Sequence, residues 1–377
     1  MNHIDRNLDV LLRKDTLKHI YTFKNFPVFM GCVNTPQESD ILEDMVWYIS
    51  SETGMIQLNP LLPLDVIYCD QHNSGVVGKL WNEHHESFSK FVCKFNPKNV
   101  LEIGGLHGIL SRNCLIKNKN INWTMIEPNP IVDSDLPIKV IRGFFDSNFV
   151  SKDKYDTIIH SHVLEHIYDP QEFIKCQSSL LDIGGKLIFS IPNMCVMLKN
   201  AYTNCINFEH TLYFDEKHIE FLLESNGFGI IEKEYFKDDH SIFYCSEKKN
   251  VNSNINFGGL YKQNSEFFGN YINKHVNDVK NINEQINSSK VPVFLFGAHV
   301  FSQYLINFGL DVSKIKFVLD NDRNKQDKRL YGTNLICKSP HILKNYDSCI
   351  LILRTGVYND EIKKDILENI NGNVKII

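Results

Sequence analysis

The sequence lacks several features that would place the protein in a specialised class. No run of about 18 apolar residues is present, so no membrane span is expected. The first fifteen residues are charged where a secretory signal is apolar, which predicts a cytoplasmic protein. The ten cysteines include no Cys-x-x-Cys pair, so they indicate reduced thiols and no zinc site of ordinary spacing. The net charge of −5 provides no basic excess for coating nucleic acid.

What remains is a chain of ordinary globular composition. Of its 377 residues, 43% are hydrophobic and 23% are charged, which argues against extensive disorder. A chain of this length usually forms two or three domains.

Strand and helix patterns alternate through the middle of the chain. Short apolar runs predict strands at 98–103, 122–127, 155–160 and 186–191, and helices are predicted at 106–115 and 170–181. The Asp-Ile-Gly-Gly stretch at 182–185 predicts a turn before the last of these strands. This alternation indicates an α/β fold with a parallel, doubly wound sheet.

The pattern divides the chain into four parts. Residues 1–75 form a small N-terminal module, and residues 76–246 contain the central α/β domain. The polar stretch 247–290 is predicted to be a helical linker, with a long helix at 266–286. A second, Rossmann-like α/β domain follows at 291–377, with strands predicted near 291–298, 314–320 and 348–354.

The first strand of the central domain ends in a glycine-rich turn. Gly104, Gly105 and Gly108 follow Glu102 in the pattern E-x-G-G-x-x-G, and Glu127 ends the next strand. Glycine lets the backbone approach a ligand closely, and a carboxylate at the second strand end can accept both ribose hydroxyls of a nucleoside. The dinucleotide pattern G-x-G-x-x-G is absent from both α/β domains, which disfavours a dehydrogenase.

This turn resembles motif I of the class I methyltransferases, and that resemblance implies S-adenosylmethionine as the cofactor. The resemblance extends over about 150 residues and includes the strand at 155–160 with the loop after it. It places Phe145 at the adenine contact. Pro128, which follows Glu127, and His162 complete the predicted cofactor-binding set.

Histidines are concentrated near the expected crevice at the carboxyl ends of the strands. His160, His162 and His166 surround the end of the strand at 155–160, and Glu209 precedes His210 further along. Histidine is the usual general base near neutral pH, which favours a catalytic role for His210. A structural role for these histidines and a metal site are the alternatives. The H-E-x-x-H pattern is absent, so no metal is predicted.

Taken together, the motifs resemble the C-methyltransferases that act on nucleotide-linked ketodeoxysugars. That family has an N-terminal zinc-binding module, a central class I methyltransferase domain and a C-terminal Rossmann-like domain. Its central motif, a tyrosine, one residue and Glu-His followed by Tyr-Phe, corresponds here to residues 207–214. Its loop histidine corresponds to His166. Its C-terminal patterns correspond to Gly297-Ala298, to residues 318–321 and to Ser339-Pro340.

Two departures from the family pattern stand out. The zinc knuckle C-x-x-C-G-x-x-Q is replaced by serine and threonine at 50 and 53, and hydroxyls are poor zinc ligands. The module is therefore expected to fold without metal. The family tyrosine before Glu-His is Asn207, which leaves the exact reaction open. A further active-site tyrosine of the family corresponds to Tyr68.

The resemblance implies methyl transfer from S-adenosylmethionine to carbon through an enolate. His210 would be the base, Glu209 would orient it, and His166 would donate to the enolate oxygen; Asn207 and Tyr68 complete the catalytic set. The expected partner is a nucleotide-sugar substrate, in deoxysugar and polysaccharide biosynthesis, with no nucleic acid or membrane. The alternatives are an O-methyltransferase acting on a surface-polysaccharide sugar or another small molecule, and a catalytically silent binding protein. The sequence does not predict the oligomeric state.

Overall fold

A computed structural model describes residues 2–67, 79–251 and 253–377. The predicted site residue Tyr68 therefore lies outside the described residues. The first unit contains, in chain order, β1 Leu17–Pro27, β2 Cys32–Val33, β3 Leu42–Ser50, β4 Ile56–Leu58 and α1 Leu64–Ile67. Among the helices of these ranges, none combines the length and apolar character needed to cross a membrane.

The central unit begins with a helix and continues through a large sheet. Its elements are α2 Lys79–Cys93, β5 Asn99–Ile103, α3 Ile109–Lys117, β6 Asn122–Glu127, β7 Lys139–Arg142, β8 Tyr155–Ser161, α4 Pro170–Leu180, β9 Leu181–Pro192, α5 Met194–Lys199, β10 Leu212–Tyr213, α6 Glu216–Glu224, β11 Phe228–Phe236, α7 Lys237–His240 and β12 Ser241–Lys248. The strands predicted from apolar runs are all present, because such runs are buried on both faces of a parallel sheet.

The strand order of the central sheet creates a crevice for a ligand. The order is β11-β12-β9-β8-β5-β6-β7. Five strands, β5 to β9, are parallel and follow the doubly wound arrangement, with the order reversing between β5 and β8. In such sheets ligands bind outside the carboxyl ends of the strands at this reversal. The predicted doubly wound sheet is confirmed, and its other edge is extended by β12, which is antiparallel to both β9 and β11.

Two local predictions in this unit were wrong. The predicted turn at 182–185 lies inside β9, which starts at Leu181 and pairs there with Tyr155. A register shift in that pairing between Tyr155 and Thr157 absorbs the glycines, and Gly184 takes a positive φ of 86°. The helix predicted at 106–115 starts three residues later, because the residues before Ile109 form the glycine turn.

The N-terminal unit and the central unit share a sheet. Its order is β1-β3-β4-β10, and β10 comes from the chain immediately after the segment that contains His210. At positions 50 and 53, buried hydroxyls form hydrogen bonds. Thr53 Oγ1 donates to Asp9 Oδ2 over 2.6 Å, and Ser50 Oγ accepts from the backbone amide of Thr53 over 3.1 Å.

The last unit is a second α/β layer preceded by a long helix. Its elements are α8 Leu260–Asn287, β13 Val293–Phe296, α9 Val300–Asn307, β14 Ile315–Leu319, β15 Arg329–Leu330, β16 Cys337–Lys338, β17 Cys349–Leu353, α10 Asn359–Asp365 and β18 Val374–Ile376. Its five-stranded sheet is parallel, in the order β16-β14-β13-β17-β18. Helix α8 is longer than the predicted 266–286. Its Phe268 packs with N-terminal strands, and its Ile282 packs with the C-terminal sheet.

Candidate active site

The glycine turn lies at the carboxyl end of β5, beside the crevice. Gly104 and Gly108 have positive φ values of 78° and 65°, which favour glycine at both positions. A β-carbon on Gly105 would lie 2.2 Å from the sulfur of Met125, so a side chain has no room there. The turn therefore keeps bare backbone at the sheet edge where a nucleotide-like ligand would lie.

Two carboxylates support this turn in different ways. Glu127, at the end of β6, accepts hydrogen bonds from the backbone amides of Leu106 and Asn129 at 3.3 and 3.0 Å. Glu102 is only 3% exposed and accepts from Trp123 Nε1 at 2.7 Å. Burial raises the pKa of Glu102 to about 7, although the Trp123 hydrogen bond acts in the opposite direction. Glu127 thus holds the turn through backbone hydrogen bonds, whereas Glu102 lies beneath the turn and is partly protonated at neutral pH.

Of the remaining predicted cofactor residues, two lie near this edge. Pro128 directly follows Glu127 and is half-buried. Phe145 follows β7, and its ring packs against Phe149 and Phe173 at centroid distances of 5.2 and 5.6 Å. Phe145 thus has an aromatic face anchored by the core beneath it, so an adenine would have to contact its other side.

The loop after β8 contacts the glycine turn from the other side of the reversal. A β-carbon on Gly104 would lie 2.8 Å from a methyl group of Val163. His162 has a positive φ of 53°, and its Nδ1 lies 3.3 Å from Glu165 Oε1. The sequence grouped His160 with these residues, but its fully buried ring stacks on Phe189 within the sheet at 5.0 Å. His160 is therefore a core residue.

A backbone turn presents His210 to the same space. The side-chain oxygen of Asn207 accepts hydrogen bonds from the backbone amides of Glu209 and His210 at 2.8 and 2.9 Å. Asn207 is 3% exposed, so this turn is part of the interior. Because its oxygen is used in this way, any contact of Asn207 with a substrate has to come from its Nδ2 group.

The structure brings His166 and His210 together around Glu165. The two rings are 4.7 Å apart between centroids and nearly perpendicular. Each of the three side chains offers one polar atom within 4.8 Å of those of the other two. Glu165 has no exposed surface, and its Oε1 lies 3.3 Å from Nδ1 of His162. Its role was missed in the sequence, although its place in V-L-E-H after a strand was the available signal.

Electrostatics tie these groups to one another. Burial by itself raises the pKa of Glu165, but the hydrogen bond from His162 and the electrostatic influence of His162, His166 and His210 outweigh burial and hold that pKa at about 2. Burial lowers the pKa of His210 to about 4, with Glu165 and Glu209 acting against the decrease. At neutral pH the carboxylate is therefore ionised and His210 carries no proton on one of its nitrogens.

Glu165 is a second candidate for the orienting role that the sequence predicts for Glu209. Nδ1 of His210 is buried and makes no hydrogen bond to any described residue, so Glu209 does not hold it there. Glu209 lies close enough to raise the pKa of His210. Glu165 is the carboxylate that lies between both histidines.

The segment that carries His210 is held from two sides. Arg6, from the N-terminal unit, donates to the carbonyls of Leu58 and Thr211 at 2.8 and 2.7 Å. Tyr304, from α9 of the C-terminal unit, donates to the carbonyl of Ile206 at 2.5 Å. Burial lowers the pKa of Arg6 to about 9. All three units therefore contribute to the position of His210.

Comparison with known proteins agrees with this description of the central unit. Residues 79–233 match a protein family described as a methyltransferase domain. The match begins with α2 and ends inside β11, so it includes the glycine turn, Glu127, the loop after β8 and His210. A comparison with curated proteins gave no significant match.

Similar solved structures include several methyltransferases. An S-adenosylmethionine-dependent methyltransferase from Clostridium acetobutylicum aligns over 45% of this chain and 92% of its own, with 15% identity and a TM-score of 0.35. Human N-acetylserotonin methyltransferase in complex with SAM aligns over 45% and 53%, with 15% identity and a TM-score of 0.39. An O-methyltransferase family protein from Burkholderia thailandensis aligns over 46% and 57%, with 12% identity and a TM-score of 0.37. The alignment thus spans little more than half the length of the last two proteins.

The family match, the doubly wound sheet and the glycine turn with Glu127 at its edge all describe the same central unit. The prediction of a class I methyltransferase fold is confirmed. The central unit of this chain is a Rossmann-like methyltransferase domain.

Proposed function

We propose that this methyltransferase acts on a carbon next to the ketone of a nucleotide-linked deoxysugar, through an enolate. The observation that supports this most directly is the pairing of His166 and His210 around the buried carboxylate of Glu165. Carbon methylation needs a base for the carbon-bound proton and a donor for the oxygen that becomes negative. Two imidazoles with a shared anion supply one group for each task.

In this proposal, His210 is the base. A neutral imidazole is needed to take up a proton, and the low pKa of His210 keeps it neutral at physiological pH. As the proton moves from the carbon to His210, the ring becomes positively charged. Glu165 lies beside the ring and stabilises that charge, while Glu209 adds a second negative charge nearby.

His166 is the donor to the developing enolate oxygen. Its ring lies against His210, so one substrate can contact both rings at adjacent atoms. S-adenosylmethionine held by the glycine turn would supply an electrophilic methyl group. Transfer of that methyl group to the enolate carbon, with loss of the sulfur–methyl bond, would regenerate the ketone and leave the proton on His210 for release to solvent.

The residues present fit a cofactor on the far side of this pair. Gly104 faces solvent at the sheet edge and contacts the loop that begins at His162. The residues that would hold it are those of the glycine turn together with Glu127. The substrate would then lie between this loop and the turn that carries His210, below the N-terminal unit.

Deuterium exchange tests the proposal at its first step. A nucleotide-linked 4-ketosugar is incubated with the protein in heavy water without cofactor, and the product is analysed by NMR. We expect deuterium at the carbon next to the ketone, at least about 100-fold slower with His210→Gln. His341→Gln, an exposed substitution in the C-terminal unit, is the control.

The complete reaction distinguishes the acceptor atom. With S-adenosylmethionine present, a methyl singlet on a carbon without an attached proton supports the proposal. A methoxy signal identifies an O-methyltransferase instead. The absence of exchange and of any C-methyl product with a panel of ketosugar nucleotides would overturn carbon methylation.

A further inference from the structure

A second cluster of histidines lies apart from the pair that contains His210. His84 comes from α2, His162 from the end of β8, and His240 from the residue before β12. One ring nitrogen of each lies within 4.8 Å of one ring nitrogen of each of the others. We call these three residues the histidine triad. Their ring centroids are 5.1, 5.4 and 6.0 Å apart.

The triad is enclosed on one side by Trp81. Its ring lies 5.3 Å from that of His84, 4.9 Å from that of His162 and 5.1 Å from that of His240. His84 is fully buried, and its Nδ1 has no hydrogen-bond partner within the described ranges. A buried polar atom without a partner calls for a ligand or an ion to satisfy it.

Side chains outside the triad hold the rings in place. Ser190 Oγ lies 2.9 Å from Nε2 of His84, and Ser241 Oγ lies 2.9 Å from Nε2 of His162 and 2.6 Å from Nδ1 of His240. Glu165 lies 3.3 Å from Nδ1 of His162. Metal-binding histidines are oriented in this way, by hydroxyl or carboxylate partners on the nitrogen that does not bind the metal. For His162 the Glu165 contact occupies Nδ1, so the ligand atom would be Nε2, which lies 2.9 Å from the Ser241 hydroxyl until that hydroxyl rotates away.

The chemistry of three imidazoles favours a transition metal. Three histidines packed together in the interior cannot all be protonated, because burial and mutual repulsion disfavour the charge. Their lone pairs are then available. Three histidine ligands with an open fourth position are the donor set of a catalytic zinc site.

We propose that the histidine triad binds a divalent transition-metal ion, with zinc as the first candidate. Zinc–nitrogen bonds of about 2.0–2.1 Å place the nitrogens roughly 3.4 Å apart in a tetrahedral site. Small rotations of the rings would bring the three nitrogens of the triad to that spacing, with the Ser241 hydroxyl rotating away. This proposal does not depend on the identity of the methylated substrate.

The triad has a route to solvent and a link to the catalytic pair. His240 also lines a cleft of about 430 Å³, which Tyr202, Gly356 and Asn359 border on the side of the C-terminal unit. A ligand can therefore reach the open position of the metal. Glu165 contacts His162 of the triad and also lies beside His166 and His210. A cation in the triad would therefore add positive charge close to the proposed base, with only Glu165 between them.

Metal titration of the full-length protein tests the proposal. The protein is treated with a chelator, desalted and titrated with Zn²⁺ by calorimetry and with Co²⁺ by visible spectroscopy. We expect one equivalent per chain and the intense visible bands of tetrahedral Co²⁺. Because Trp81 contacts all three rings, Co²⁺ is expected to quench part of the tryptophan fluorescence, and Trp81→Phe should remove that part while one equivalent still binds.

Variants assign the site. His84→Gln and His240→Gln are expected to weaken binding at least about 100-fold, whereas His85→Gln, the neighbouring histidine of α2, should retain it. Circular dichroism verifies that each variant is folded. Failure of the wild-type protein to bind one equivalent would overturn the proposal. Loss of the metal in His210→Gln with retention in His84→Gln would also overturn it, by assigning the ion to the catalytic pair.

Discussion

Replacing Glu102 with glutamine is expected to remove a pH-dependent loss of stability. In the folded protein the pKa of Glu102 is about 7, against an ordinary value of 4.5. Between pH 4.5 and pH 7, Glu102 is therefore protonated in the folded protein and ionised in the unfolded chain. The contribution of protonated Glu102 to the free energy of unfolding is fully present below pH 4.5 and is lost as the pH rises through about 7. At 1.36 kcal/mol per pKa unit, the full loss is about 3 kcal/mol.

Thermal unfolding followed by circular dichroism at several pH values measures this difference. Between pH 4 and pH 8.5, the wild-type protein should lose about 3 kcal/mol of stability relative to Glu102→Gln. Glutamine keeps an oxygen that can accept the Trp123 hydrogen bond, so the variant is a close isostere of the protonated acid. Parallel pH profiles of the two proteins would refute the reasoning.

Trp123→Phe provides a matched variant for the same prediction. The hydrogen bond from Trp123 acts to lower the pKa of Glu102, so its removal should move the loss of stability to a higher pH. Binding of the positively charged cofactor beside Glu102 should favour the ionised form. We therefore expect proton release when the cofactor binds near pH 7, measured by calorimetry in two buffers of different ionisation enthalpy.

Three further outcomes are expected. Arg6→Lys loses the fork of donors on Leu58 and Thr211, so steady-state kinetics should give a kcat about 10-fold lower, with cofactor affinity changed less than about twofold. Tyr304→Phe removes one buried hydrogen bond and should cost about 1 kcal/mol in thermal unfolding, and an unchanged melting temperature would contradict this. Glu165→Gln should lower kcat about 100-fold in the same kinetic assay, and wild-type activity would remove this carboxylate from the mechanism.

Much of the central fold could be predicted because its strands are short apolar runs with sharp ends. The glycine turn and Glu127 could be predicted too, because each lies at the end of one of these strands. The Gly184-Gly185 pair misled the prediction, because a bulge in the pairing of β8 with β9 accommodates residues that usually end a strand. The antiparallel insertion of β12 is a property of the sheet order and is not encoded in local periodicity.

The site was only partly predictable, because its members come from distant parts of the chain. His84 belongs to α2, His162 follows the end of β8, and His240 ends the short helix α7, and no sequence spacing relates them. Glu165 appeared in the sequence as one letter of a common motif. Its importance follows from its burial near three histidines, and the distant one, His210, comes from a segment whose Thr211 amide donates to the Glu165 carbonyl.

The pairing of β10 with β4 has a consequence for the modularity of the protein. The matched family region, residues 79–233, contains β10 but not β4, so a fragment of that region would leave β10 without its partner strand and without the Arg6 contacts. Such a fragment retains the glycine turn and both carboxylates beneath it. The proposed cofactor site is thus contained in one unit, whereas the position of His210 depends on contacts from all three units.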